Sequence, residues 1–242
     1  MPIPPADILT AYDGSDWLGK GIVLIQLVIS IYAWSMLISR GLDLTRVKKA
    51  TAEFRHFFGR TRSIVEYYFT RGSGKSPILS IYFLATEKLV AELGSIAGEK
   101  PKSLQETRGK LLSEASFELV KGVAEESLAE QTNRLEDGMN IIGAITTLTP
   151  LLGLFGTVSG VLSAFQDMGQ QGSVNLATVA PSLSTAMVTT VVGIGVAIPT
   201  IIGYNVVVGS IEKLRIQFDG FADEYLGRLR REFCEGRAND GD

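Results

Sequence analysis

Three stretches of the chain carry no Asp, Glu, Lys or Arg. They run from Ile22 to Ile38, from Gly138 to Gln166 and from Met168 to Ile211. An α-helix rises about 1.5 Å per residue, so roughly 20 apolar residues cross a hydrocarbon core. The first run spans once its flanks contribute, and the second spans with residues to spare. The third is 44 residues long, but Gly169, Gln170, Gln171, Gly172, Ser173 and Asn175 read as a polar turn at its start. One span over 176–208 remains. A protein of 242 residues has too little chain to bury three such runs as soluble core helices.

The pattern therefore predicts an all-α integral membrane protein with three transmembrane helices and long helical cytoplasmic extensions. The expected segments are a short N-terminal stretch (1–21), a first span (22–39), a helical cytoplasmic domain (40–137), a second span (138–166), a turn (167–175), a third span (176–208) and a C-terminal helix and tail (209–242). Between the first two spans, Leu79, Tyr82, Phe83, Thr86, Leu89, Val90 and Leu93 recur at helical spacing and predict one amphipathic face. The segment from Leu111 to Leu135 is rich in Glu, Ala and Leu and leads toward the second span. Pro77, Pro101, Gly72, Gly74 and Gly98 punctuate the domain. Its aromatics, Phe54, Phe57, Phe58, Tyr67, Tyr68 and Phe69, predict packing rather than a solvated linker.

Charge adds orientation. Arg40, Arg46, Lys48, Lys49, Arg55 and Arg60 follow the first run. The loop from Gln166 to Ala177 has no Lys or Arg, and the tail holds Lys213, Arg215, Arg228, Arg230 and Arg231. Positive residues stay in the cytoplasm, so the N-terminus is expected outside and the C-terminus inside. Lys20 runs against this rule and can snorkel to the headgroups. The acidic N-terminal stretch and the absence of a cleavage site predict a retained first span rather than a signal peptide. The net charge of −3 says nothing about nucleic acid, and no nucleic-acid partner is expected. A single cysteine, Cys234, excludes an internal disulfide.

Soluble catalytic chemistry is weakly represented, and no enzyme activity is expected. Gly74-Lys75-Ser76 resembles the end of a phosphate loop, but Phe69 stands where the pattern needs a glycine. His56, the only histidine, has no companions at metal-ligand spacing. Neither a metal nor another cofactor is expected.

The informative residues lie within the second and third runs. Thr146, Pro150, Gly153, Thr157, Gly160 and Ala164 follow steps of three and four, which places them on one helical face. Ser182, Thr185, Thr189 and Gly193, with Thr190, Ala197 and Gly203 nearby, form a comparable face in the third span. Small residues permit close helix approach, as in Gly156-x-x-x-Gly160. The hydroxyls can bond to carbonyls of their own helix or line a narrow polar path, and spacing alone leaves both open. Pro150 and Pro199 interrupt the helical hydrogen-bond ladder. Neither span contains an ionisable residue, so a titrating group on an ion path would come from another chain.

These residues resemble the MotA/TolQ/ExbB proton-channel family, and its TolQ/ExbB branch in particular. The resemblance is carried by Thr149-Pro150-Leu151-Leu152-Gly153-Leu154-Phe155-Gly156-Thr157-Val158, then Gly160 and Ala164-Phe165. It continues at Val179-Ala180-Pro181, Thr190, Gly193, Ala197-Ile198-Pro199 and Tyr204-Asn205. It implies a homopentameric ring in a bacterial inner membrane around a TolR/ExbD-like single-span dimer. That partner would supply a titrating aspartate, and proton flow would drive work at the outer membrane or cell surface. The resemblance assigns Thr157 and Thr190 to the pore. Thr185, Thr189, Ser182 and Thr146 join them as candidate lining residues. Gly153, Gly156, Gly160, Gly193, Pro150, Pro181 and Pro199 are candidate packing residues. One position departs from the family pattern: Thr185, before Ala186, stands where TolQ and ExbB usually have a glutamate. A non-conducting membrane scaffold is the alternative expectation.

Overall fold

The computed structural model describes residues 17–71, 76–107, 111–171 and 176–235, with the side chains at 71, 96–97, 170–171, 176–178 and 181 excepted. Among the described residues the regular elements are all helical: α1 (Trp17–Phe58), α2 (Glu66–Arg71), α3 (Pro77–Ala97), α4 (Leu104–Thr107), α5 (Glu114–Glu136), α6 (Met139–Gln171) and α7 (Leu176–Phe233). Three stretches of helix are long and apolar enough to cross a membrane, within 17–58, 114–169 and 182–233. The residues divide into two compact units, one of Met1–Gly41 with Gly138–Val208, the other of Leu42–Asp137 with Gly209–Asp242.

The first unit holds the apolar runs of α1, α6 and α7. Its exposed surface is largely aliphatic and aromatic, including Ile31, Val158, Leu162, Phe165, Met187 and Ile202, as a lipid-facing surface requires. Its interior combines aliphatics such as Leu37, Ile142 and Ile145 with small residues, threonines and the Gln26 amide. Helix α6 continues to Gln171, five residues past the expected end of the second span at Gln166. Asp167 therefore lies within a helix, not in the turn. The rest of that expected turn, 172–175, lies outside the described residues, as does the N-terminal stretch 1–16.

The second unit is a compact helical assembly with a different interior. Phe58, Tyr82, Phe221 and Tyr225 are almost fully buried together. The rings of Phe58 and Phe221 lie 5.1 Å apart, and those of Tyr82 and Tyr225 lie 5.9 Å apart, both edge-on. Such aromatic pairs add to the hydrophobic term. The polar edges of the cluster are matched. Tyr82 donates its hydroxyl to the Ile64 carbonyl at 2.6 Å and accepts from the Tyr68 amide at 3.0 Å. Thr86 and Tyr225 share a hydroxyl hydrogen bond of 3.1 Å. Near the end of α7, the Arg228 guanidinium sits 4.5 Å from the Phe58 ring centroid and donates to the carbonyls of Phe58 and Thr61. One turn on, the Glu232 carboxylate accepts from Ser63 Oγ and from the Ile64 amide.

Local signals explain the helix ends in this unit. Pro77 opens α3, where its missing N–H costs nothing, and Gly98 closes it with φ 80°, a left-handed cap that glycine adopts without penalty. The Ser113 side chain caps α5 by accepting from the Ser116 amide at 3.1 Å. Helix α3 packs against α5. The buried stripe of α3 comprises Ile78, Ile81, Tyr82, Ala85, Thr86, Leu89, Val90 and Leu93. Leu79 and Phe83, expected on that face, flank it and are half-buried. The face is turned slightly because the neighbouring positions Ile81 and Ala85 fill the contact.

Candidate functional site

The threonines and glycines of α6 and α7 meet within the first unit. Glycine at 153, 156 and 160 is a matter of space. A Cβ on Gly153 would come within 2.9 Å of the Thr189 carbonyl oxygen and the Thr190 Cα. One on Gly156 would overlap the Thr189 side chain, and one on Gly160 the Ala186 Cβ. On α7, a Cβ at Gly193 would lie 2.9 Å from the Thr149 carbonyl oxygen and 2.8 Å from Gln26 Nε2. The two helices are thus in backbone contact, which in a lipid environment gains dispersion energy that larger side chains would forfeit.

Each candidate threonine has a definite hydrogen bond. Thr146 donates to the Gly143 carbonyl at 2.7 Å, Thr157 to the Leu154 carbonyl at 2.8 Å and Thr185 to the Ser182 carbonyl at 2.9 Å. These bonds stay within one helix. Thr190 instead crosses to α6 and donates to the Gly153 carbonyl at 2.8 Å. Thr189, fully buried, reaches the same carbonyl at 3.1 Å and the Ala186 carbonyl at 2.7 Å. A hydroxyl has one proton and two lone pairs. With the proton committed to a carbonyl, each of these oxygens can only accept from whatever approaches.

The residues differ in access. Thr189 and Thr185 are buried, while Thr146, Thr157, Ser182 and Thr190 are half-buried. Pro150 and Pro199 lie inside α6 and α7 and are half-buried. Pro181 lies in α7, and its side chain falls outside the described residues. The structure therefore brings Gly153, Gly156, Gly160, Gly193, Thr189 and Thr190 into one contact. Thr146 and Thr157 lie on the same face of α6, Thr146 before the contact and Thr157 between Gly156 and Gly160.

Two residues escaped the sequence reasoning. Gln26 of α1 is fully buried and donates through Nε2 to the carbonyls of Thr149 and Thr189, each at 3.3 Å. It is the only carboxamide in the Ile22–Ile38 run, and that isolation was the available signal. Asp167 follows Ala164 by three positions, so it continues the stripe of Thr157, Gly160 and Ala164 to the end of α6. It is exposed. The charge marked the limit of the apolar run, which hid its place on the helix.

Other candidates do not assemble. Among the described residues, no group of three His, Cys, Asp or Glu side chains could hold a metal ion. His56 is exposed. Gly74 and Lys75 of the phosphate-loop-like triplet lie outside the described residues, and Ser76 serves as the extended N-cap of α3. Among the described residues, the ionisable groups with displaced equilibria lie in the second unit. Burial pushes the Tyr82 and Tyr225 hydroxyls far above the usual tyrosine range. Burial also raises the Cys234 thiol, with the Glu114 carboxylate adding to the effect.

Three span-capable helices, a lipid-compatible exterior and an interior of threonines and glycines define a multi-pass membrane protein with a polar inter-helix contact. The model of the MotA/TolQ/ExbB proton channel family matches residues 100–219, which include α5, α6 and the apolar part of α7. Over that segment the chain is similar to the MotA/TolQ/ExbB proton channel family. It is 27% identical over 218 residues to the Tol-Pal system protein TolQ of Pseudomonas aeruginosa, covering 87% of this chain and 89% of that one. It is 27% identical over 227 residues to the biopolymer transport protein ExbB of Neisseria meningitidis, covering 90% and 94%. Against the ExbB of Salmonella typhimurium the identity is 25% over 215 residues, covering 89% and 83%. The family resemblance and the three apolar helices together support a multi-pass inner membrane protein.

Proposed function

We propose that this chain is the channel subunit of a proton-motive-force-driven motor of the TolQ/ExbB type. Five copies surround the transmembrane helices of a TolR/ExbD-like dimer, and proton flow through the ring drives work at the outer membrane or cell surface. The N-terminus is periplasmic. The unit of Leu42–Asp137 and Gly209–Asp242 is cytoplasmic, in keeping with its Lys and Arg content.

The observation that carries this reading is the state of the half-buried Thr157 and Thr190 hydroxyls. Both have given their proton to a carbonyl and keep oxygen lone pairs for an incoming donor. A protonated carboxyl or a water molecule satisfies that requirement, and a carboxylate does not. The apolar parts of α6 and α7 contain no charged side chain from Met139 to Gln166 or from Leu176 to Ile211. The proton carrier therefore belongs to the partner chain, and these threonines receive it in its neutral form. Proton flux into liposomes containing the chain and its partner is the test. Thr157→Val and Thr190→Val should each lower the flux at least severalfold, and unchanged flux in both overturns the reading.

A second reading, a scaffold that assembles an envelope complex without conducting ions, draws support from Thr185. Its hydroxyl is buried and committed to the Ser182 carbonyl, at the position where TolQ and ExbB usually have a glutamate. A scaffold's complex keeps working when an uncoupler collapses the proton gradient, and a motor's stops.

A further inference from the structure

In the first unit a single side chain of α1 reaches the backbones of both other helices. Gln26 Nε2 has two protons and points them at two carbonyls, Thr149 on α6 and Thr189 on α7. The amide orientation is fixed by this pair, since the reverse placement would set its oxygen against two acceptors. Both contacts fall at sensitive points. Thr149 precedes the helix-interrupting Pro150. Thr189 precedes Thr190, whose hydroxyl bonds to Gly153 on the facing helix. The room for the amide is made by Gly193, where a Cβ would stand 2.8 Å from Nε2.

Stability alone does not explain this residue. Its Oε1 is buried and has no hydrogen-bond partner, a costly arrangement in a lipid-embedded bundle. A leucine or methionine would fill the same volume without that cost. What an aliphatic side chain could not do is fix the axial offset between α6 and α7 through two backbone acceptors.

We propose that Gln26 is a positioning residue for proton transfer. By tying the Thr149 and Thr189 carbonyls together it holds Thr190 against Gly153, so that the Thr190 oxygen presents its lone pairs in one fixed direction. The inference rests on the proton-path reading of Thr190 given above.

The test is proton flux into liposomes containing the full chain with its partner, measured beside the native mass of the complex. Gln26→Leu and Gln26→Met should assemble at wild-type mass and lower flux about tenfold. Gln26→Glu supplies a readout that simple packing would not move. A protonated carboxyl still donates one hydrogen bond, whereas a carboxylate donates none and repels both carbonyls. No charged side chain of α6 between Met139 and Gln166, or of α7 between Leu176 and Ile211, exists to compensate. The nearest charge on α1 is Lys20, nearly two turns away. Flux through Gln26→Glu should therefore survive in acid and fall as pH rises, more steeply than wild type, with the mass unchanged. Wild-type flux in Gln26→Leu and Gln26→Met, beside reduced flux in Thr190→Val, overturns the positioning role alone. Loss of assembly in both aliphatic variants gives Gln26 a structural role and also overturns it. Unchanged flux in Thr157→Val and Thr190→Val overturns the proton path itself, and this proposal with it.

Discussion

The two units of the chain solve the packing problem with opposite materials. In the first, helices touch through Gly153, Gly156, Gly160 and Gly193, and the contact is closed by threonine hydroxyls and the Gln26 amide. In the second, the core is a cluster of large rings, with Phe58, Tyr82, Phe221 and Tyr225 at its centre. The difference follows from solvent. Lipid offers no hydrophobic gain for burying a leucine, so close backbone approach and hydrogen bonding must hold membrane helices together. Water rewards the removal of every aromatic ring, so the second unit buries as many as it can. A further consequence concerns polarity. The first unit keeps half-buried hydroxyls, Thr157 and Thr190, whose oxygens can still accept, while the second pairs the hydroxyls of its aromatic cluster internally.

The comparison predicts that the units fail in opposite directions. Phe58→Ala removes a buried ring from the second unit and should lose about 3–5 kcal/mol, read as a fall in the melting temperature of the solubilised protein. Gly156→Val reverses the operation in the first unit, where even a Cβ overlaps Thr189. Overpacking of this kind costs about 1–3 kcal/mol or more, and native mass should show impaired assembly. A tolerated Gly156→Val would mean that α6 and α7 are not in backbone contact.

Smaller changes sharpen the contrast. Tyr82→Phe keeps the ring and removes only the hydroxyl between the Ile64 carbonyl and the Tyr68 amide. Leaving those groups unpaired should cost about 1–3 kcal/mol, with the ring packing preserved in the near-ultraviolet spectrum. The same hydroxyls impose a pH limit. Burial raises Tyr82 and Tyr225 above the ordinary tyrosine value of 10.0. Below about pH 10 both are neutral whether the chain is folded or not. Above it the unfolded chain ionises first, so stability present at neutral pH declines as pH rises. Melting temperatures from about pH 8 to 11 should fall for the wild type and fall less for Tyr225→Phe. At the weak end, Gly122 lies exposed in α5 with open space around its Cβ position. Gly122→Ala should stabilise by up to about 1 kcal/mol, the reverse of any glycine substitution at the α6–α7 contact.

Much of the helical architecture was legible because its cause is simple. Long uncharged runs force helices in a bilayer, and α6 and α7 each contain one that spans alone, while the run in α1 spans with its flanks. The small-residue stripe of α6 was legible for the same periodic reason. Helix ends were less so. The glycines and glutamines from Gly169 onward suggested a turn, yet α6 runs on to Gln171. Cross-helix chemistry was invisible to spacing. Thr189 and Thr190 are adjacent in sequence and both reach Gly153, but only Thr189 is fully enclosed. Gln26 sits 123 residues from Thr149 and 163 from Thr189, and no local pattern links them. Its solitary amide was a hint that polar chemistry lay in the first span, without saying against what.

The proposed proton path requires the Thr157 side of α6 to face protein, not acyl chains. A spin label at position 157, introduced through Thr157→Cys with Cys234→Ser in the assembled complex, tests this by its collision rate with dissolved oxygen, which concentrates in lipid. Ile31, exposed on α1, provides the lipid-facing reference through Ile31→Cys. A proton path along this face gives a collision rate at 157 several times lower than at 31. Equal rates at the two positions would contradict it.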